Sequence, residues 1–106
     1  QTAEYLNNLA GLYYAQRRYT EAEPLCVQIL QIYFKMQREE NALVGLAAQN
    51  LGMVYHCQGK WALAAMCYAR ALPIRIASCG EGHPDVRALK ENDKTARRML
   101  DESRAS

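Results

Sequence analysis

Residues that interrupt helices are scarce in this chain. Its 106 residues include only six glycines and three prolines, so few positions force the backbone to turn. Long apolar runs are also missing, because no stretch approaches the roughly 20 residues that cross a bilayer. No charged-then-apolar leader opens the chain. The sequence therefore predicts one small domain with no membrane partner.

Neither positive nor negative charge dominates the chain. The 13 basic and 11 acidic residues give a net charge of +2, which creates no large field for nucleic acid or anionic lipid. The cysteines include no Cys-x-x-Cys pair, and they lie within apolar helical patterns. They are Cys26, Cys57, Cys67 and Cys79. We interpret them as buried, reduced thiols, which predicts a cytoplasmic protein.

What the sequence does contain is helical periodicity. No segment alternates apolar and polar residues with period two, whereas Leu6, Leu9 and Tyr13, and later Leu51 and Val54, recur at spacings of three and four. The chain is therefore predicted to be all-α. Four breaks divide it into five helices, at residues 16–19, 37–41, 58–61 and 80–84.

Several residues predict where these helices begin and end. Thr20 followed by Glu23 matches a capping box for the second helix, and a start one or two residues earlier is the alternative. Pro84 suits the first position of the fifth helix. Pro73 lies deep in the fourth helix, so we expect it to kink that helix or end it early. The last helix is predicted over 84–100, with residues 101–106 as a frayed tail.

The chain resembles itself at a shift of 42 residues. Asn8-Leu9-Ala10, with Tyr13 and Gln16, aligns with Asn50-Leu51-Gly52, Tyr55 and Gln58. A fixed period of this size indicates stacked helical units, none of which can bury its apolar face alone. Each unit is interpreted as a hairpin in which a small residue allows two helices to approach closely.

The second unit carries a known pattern of small and aromatic residues. Its members are Leu51, Gly52, Tyr55, Ala64, Tyr68 and Ala71. This pattern resembles the tetratricopeptide repeat (TPR), and the 42-residue period is similar to that of kinesin light chain and nephrocystin-3. The resemblance implies a right-handed α-solenoid, with repeats at about 1–40 and 43–82. The first unit departs from the pattern at Cys26 and Ile29.

The last helix departs further. Asp93, Lys94 and Arg97 stand where leucine, a small residue and tyrosine are expected. A solenoid needs a polar outer face where it ends in water, so helix 84–100 is interpreted as a cap. A diverged half-repeat is the alternative. Repeats and cap form one domain over 1–100.

The period places three asparagines at equivalent positions: Asn8, Asn50 and Asn92. In the resembled repeats the first helix of each pair lines a concave surface, and asparagines there commonly bond the backbone of an extended peptide. An amide offers both the donor and the acceptor that a peptide group needs. The alternative is that these asparagines bridge neighbouring helices.

The same register predicts the rest of the concave wall. Its candidate peptide-binding residues are Asn7, Gln49, Gly11, Met53, Tyr14, His56 and Arg98. Gly11 beside Tyr14, opposite Met53 and His56, would leave a shallow pocket for a ligand side chain. Alternatively, these side chains pack against one another.

Catalytic and metal sites are not predicted. His56 and Cys57 are adjacent, so on a helix they point about 100° apart and cannot form a base and nucleophile pair. Cys79 and His83 have no third ligand near them in the sequence. We therefore expect no cofactor and no enzyme, and we interpret His83 as a helix cap or loop contact.

The predicted function is a protein-binding module, an adaptor or scaffold that holds an extended or short helical peptide on its concave face. The alternative is a structural segment that stacks on further repeats or on a second copy of the chain. Apolar Tyr5, Leu6 and Leu9 would be exposed at the open end of the first helix, and such faces tend to be covered. The chain begins at Gln1 within a helical pattern, which predicts that it is part of a longer protein.

Overall fold

The computed structural model describes residues 3–36 and 42–105. Within them lie five helices: α1 (Ala3–Ala15), α2 (Tyr19–Lys35), α3 (Ala42–Cys57), α4 (Trp61–Cys79) and α5 (Pro84–Ala105). The three breaks at 16–19, 58–61 and 80–84 are confirmed, and the one predicted at 37–41 lies outside the described residues. The fold is an all-α helical repeat solenoid.

The helices form two hairpins and a final helix. α1 packs on α2, and α3 packs on α4. Each following unit packs mainly on the helix before it, α3 on α2 and α5 on α4, while α3 also contacts α1 and α5. The first helices of the units, α1, α3 and α5, therefore form one layer, with α2 and α4 behind it. This arrangement brings the equivalent positions of α1, α3 and α5 to the same surface.

Glycines allow the closest helix contact, between α3 and α4. A Cβ added to Gly52 would lie 2.6 Å from Cε1 of Tyr68, and one added to Gly45 would lie 2.6 Å from Cγ2 of Ile74. Tyr68 is fully buried. In the first repeat the equivalent residues, Ala10 and Cys26, share a small buried cluster. The predicted close approach at Gly52 is confirmed.

The two hairpin turns use matching geometry with different residues. Gly59 has φ +73°, and Arg17, its equivalent, has φ 62°, a left-handed conformation that glycine adopts without strain. The predicted capping box is wrong, because α2 begins at Tyr19 and Arg18 occupies the capping position. Arg18 makes no side-chain capping bond, and its Nε donates instead to the Oε1 of Glu21 at 2.8 Å.

Helix α4 is continuous from Trp61 to Cys79 although Pro73 lies inside it, so the proline does not end the helix. The expectation that no segment could span a bilayer is wrong by length and composition, because α4 is long and apolar enough to do so. Such a helix is weak grounds for a membrane span. Its buried residues Ala64, Tyr68 and Ala71 pack in the protein core.

Helix α5 begins at Pro84 as predicted. The ring Nδ1 of His83 accepts a hydrogen bond from the Asp85 backbone N–H at 3.1 Å, which confirms His83 as a cap. The helix continues to Ala105, beyond the predicted end at Leu100. It does so because residues 101–105 contain no glycine or proline, and Arg104 in the last turn favours the helix dipole.

Candidate functional site

Two amide side chains join α1 to α3 on the predicted concave wall. The Nδ2 of Asn50 donates to the Oδ1 of Asn7 at 3.2 Å, and both residues are half-buried. Asn50 thus bridges neighbouring helices, which was the alternative to a role in ligand binding. The two amides have four N–H groups and four oxygen lone pairs between them. Because this bond uses one of each, the pair retains three N–H donors and three lone pairs.

A buried arginine adjoins the next wall position. The Nε of Arg75 on α4 donates to the Oε1 of Gln49 at 3.0 Å, and its Nη2 donates to the Oδ2 of Asp85 at 3.2 Å. The Arg75 side chain is only 8% exposed. A buried guanidinium needs several acceptors, so Arg75 fixes the orientation of Gln49 and ties α4 to both α3 and α5.

His56 belongs to an aromatic cluster with α4. The hydroxyl of Tyr68 lies 3.3 Å from His56 Nδ1, and the Trp61 ring meets the imidazole edge-on with centroids 5.0 Å apart. Burial lowers the pKa of His56. The imidazole is therefore neutral at pH 7, and its contacts with Tyr68 and Trp61 hold it in one orientation.

Tyr14 makes the second link between α1 and α3. Its hydroxyl lies 3.9 Å from the Sγ of Cys57. Its ring packs on the ring of Tyr19, with the two ring centroids 5.6 Å apart. Burial, with the neighbouring Cys57, raises the pKa of Tyr14 to about 12. Cys57 itself is exposed and Cys26 is buried, so the expectation of four buried thiols is wrong.

The remaining predicted residues differ in accessibility. Asn8 and Arg98 are exposed, Asn92 is half-buried on α5, and Met53 packs against the core. A Cβ at Gly11 would meet nothing within 4 Å, so space exists beside this glycine. The structure pairs Asn50 with Asn7, and the ladder of Asn8, Asn50 and Asn92 stays a prediction.

Two residues at this surface were missed in the sequence. Arg75 continues the buried stripe of α4 at a spacing of four from Ala71, so a charge at a core position was the available signal. Cys57 follows Asn50 by seven residues, two helical turns, and therefore lies on the same stripe of α3. The sequence suggested that Cys57 is buried, because the residues around it are apolar.

The arrangement offers recognition groups and no assembled reactive centre. His56 is turned to Tyr68, while Cys57 is turned to Tyr14, so the two are not joined as base and nucleophile. Among residues 3–36 and 42–105, no group of three or more His, Cys, Asp or Glu side chains could hold a metal ion. Amide, imidazole and phenol groups spread over three helices suit an extended ligand.

Comparison with known families agrees with this fold. The tetratricopeptide repeat model matches residues 1–77, which include all of α1, α2 and α3 and most of α4. The chain belongs to the tetratricopeptide repeat family. Such repeats generally mediate protein–protein interactions and are typically non-enzymatic. A search of curated proteins gave no match.

Proposed function

We propose that this tetratricopeptide repeat domain is an adaptor or scaffold module that binds an extended or short helical peptide on the face formed by α1, α3 and α5. The observation that carries the proposal is the Asn7–Asn50 pair, bonded at 3.2 Å and half-buried. Its remaining N–H donors and oxygen lone pairs can bond both groups of a peptide unit, the carbonyl and the N–H. Asn8, exposed beside Asn7, adds a second amide.

Side-chain contacts of the ligand are proposed for the space beside Gly11. Tyr14 is fixed on one side by Cys57, and His56 is fixed on the next helix by Tyr68. Fixed aromatic groups lose little entropy when a ligand binds. Arg98, exposed on α5, and Asn92 extend the same face toward the end of the solenoid.

The proposal is tested by a peptide array. Asn8→Ala/Asn50→Ala is compared with wild type and with Gln28→Ala/Gln31→Ala, which removes two exposed amides from α2, outside the proposed face. Peptides held by wild type and by the α2 control should lose binding at least tenfold in the asparagine variant. Equal binding by all three proteins, with unchanged circular dichroism, would contradict the groove proposal.

A structural role is the second candidate, because α1 exposes apolar side chains. Tyr5 and Leu12 are each 53% exposed and lie two turns apart on one face. The expectation that Leu6 would be exposed is wrong, since it is packed against Ile29 and Ala47. Stacking of copies through this face predicts that light scattering finds oligomers, and that Tyr5→Ser/Leu12→Ser converts them to monomers.

We also propose that the chain is of the kinesin light chain and nephrocystin-3 type, which the 42-residue period supports, and that it is cytoplasmic. The four cysteine thiols are free, as is usual in a reducing compartment. Its partners are then proteins, with neither nucleic acid nor membrane required. Co-purification from cytosol and membrane fractions tests the location.

A further inference from the structure

A groove lies between α4 and α5, and none of its lining residues belongs to the proposed peptide-binding set. Its volume is about 410 Å³, and its floor is formed by α4. Met66, which is 69% exposed, is flanked there by Ala62, Ala65 and Ala69. Three alanines around one methionine make a shallow apolar track at helical spacing, which a helix could approach closely.

The α5 wall of this groove is basic. Arg97 and Arg104 line it together with Leu100, and no carboxylate is among the described residues that line it. Arg97 is paired with Asp93 at 3.2 Å, yet its side chain remains 61% exposed. A ligand in this groove therefore meets an apolar floor and two guanidinium groups.

The internal repeat shows what kind of element fits such a place. Within the second repeat, α4 packs on α3, and Tyr68 enters the space above Gly52. At the 42-residue shift, α5 carries Lys94 in place of Gly52 and Arg97 in place of Tyr55. A helix with an aromatic residue like Tyr68 would meet a lysine side chain there, so a further helix of this repeat type fits poorly.

We propose that the α4–α5 groove binds an acidic amphipathic helix of a partner protein. The helix lays small or apolar residues along Met66 and the alanines, and its carboxylates meet Arg97 and Arg104. If it runs antiparallel to α5, as α4 runs to α3, its first turn lies near the C-terminal half of α5. Acidic residues in the first turn of a helix also interact favourably with the helix dipole. The carboxylates that meet the two arginines would therefore stabilise the bound helix as well.

The test uses a displayed library of 18-residue helical peptides with all solvent and contact positions randomised. Selection is made against the whole 106-residue chain, and the enriched peptides are measured by fluorescence anisotropy. The test variants are Arg97→Glu/Arg104→Glu and Met66→Ser. The control is Arg87→Glu, the same charge change at another exposed arginine of α5, one that does not line the groove.

The proposal expects acidic amphipathic sequences whose binding weakens at least tenfold in the arginine variant and at least threefold in Met66→Ser, with Arg87→Glu changing it by less than twofold. It is overturned if no helical peptide is enriched, if the enriched peptides lack acidic residues, or if Arg87→Glu weakens binding as much as the double variant. A concentration-dependent mass in light scattering that Met66→Ser abolishes would assign the groove to a second copy of this chain.

Discussion

Tyr68 occupies the space left by the absent side chain of Gly52, with its Cε1 2.6 Å from where a Cβ would stand. In the first repeat the same place is shared by Ala10 and Cys26, which cluster together. The two repeats thus fill the same space with different pairs of residues. The second repeat combines the smallest residue, glycine, with a large tyrosine, and the first combines alanine with a medium-sized cysteine. The pairs, rather than the single residues, are the units of packing.

This relationship predicts that Gly52→Ala destabilises the wild-type protein but stabilises a variant in which Tyr68 is replaced by a small residue. Gly52→Ala should lower the free energy of unfolding by about 1–3 kcal/mol, because the added methyl overpacks Tyr68. In a Tyr68→Cys background the same change should raise it by about 1 kcal/mol through the better helix propensity of alanine. Urea unfolding of the four proteins measures both effects. An effect of Gly52→Ala that is equal in the two backgrounds would refute the pairing.

The turn at Arg17 predicts a stabilising substitution. A left-handed residue other than glycine costs about 1–2 kcal/mol, partly offset in Arg17→Gly by the greater freedom of glycine in the unfolded chain. We expect Arg17→Gly to raise the free energy of unfolding by about 0.5–1 kcal/mol. Gly59→Ala, at the equivalent turn, should produce a loss of similar size. Thermal unfolding checks both, and a lower Tm for Arg17→Gly would show that the φ of 62° is not a source of strain.

His56 predicts a stability change in mildly acidic solution. Burial lowers its pKa in the folded state, so the unfolded chain binds the proton first as pH falls below about 6.5. The contribution of neutral His56 is therefore complete above that pH and is lost toward the lower folded-state pKa. Wild type should lose more Tm between pH 7 and pH 5 than His56→Gln. Parallel curves would show that the imidazole does not titrate differently on folding.

The thiols predict an order of reactivity. Cys57 is exposed and should react first with a disulfide reagent in the native protein, whereas Cys26 is fully buried. Burial raises the pKa of Cys26 to about 12 and that of Cys67 to about 11, so both have little thiolate at neutral pH. Cys57→Ala should remove the fastest phase of the reaction. If that phase persists, another thiol is the accessible one.

Much of the fold was predictable because it repeats. The spacing of Leu6, Leu9 and Tyr13, and the 42-residue shift, predicted helices and hairpins without any knowledge of contacts. Helix ends were harder, because they depend on local competition. α2 began before Thr20, with Arg18 at the capping position, and α5 had no residue to stop it at Leu100.

The site was less predictable than the fold. Register alone gave the equivalence of Asn8 and Asn50, yet the bond formed is from Asn50 to Asn7. Which of two adjacent amides faces a neighbouring helix depends on the rotation between repeats, and periodicity carries no information about that angle. Arg75 and Gln49 lie in the same repeat, on α4 and α3. The spacing of Arg75 from Ala71 indicated burial, but it could not name Gln49 as the acceptor.

The charged residues of α5 determine the direction in which an array of this sequence can lengthen. If copies of the 42-residue unit were inserted before the turn at 80–83, each copy would present residues equivalent to Gly52 and Tyr55 to the helix that packs on it. Copies joined after α5 would instead present Lys94 and Arg97 to an aromatic side chain. Duplication within the sequence therefore preserves the packing, while extension past α5 requires those two positions to change first.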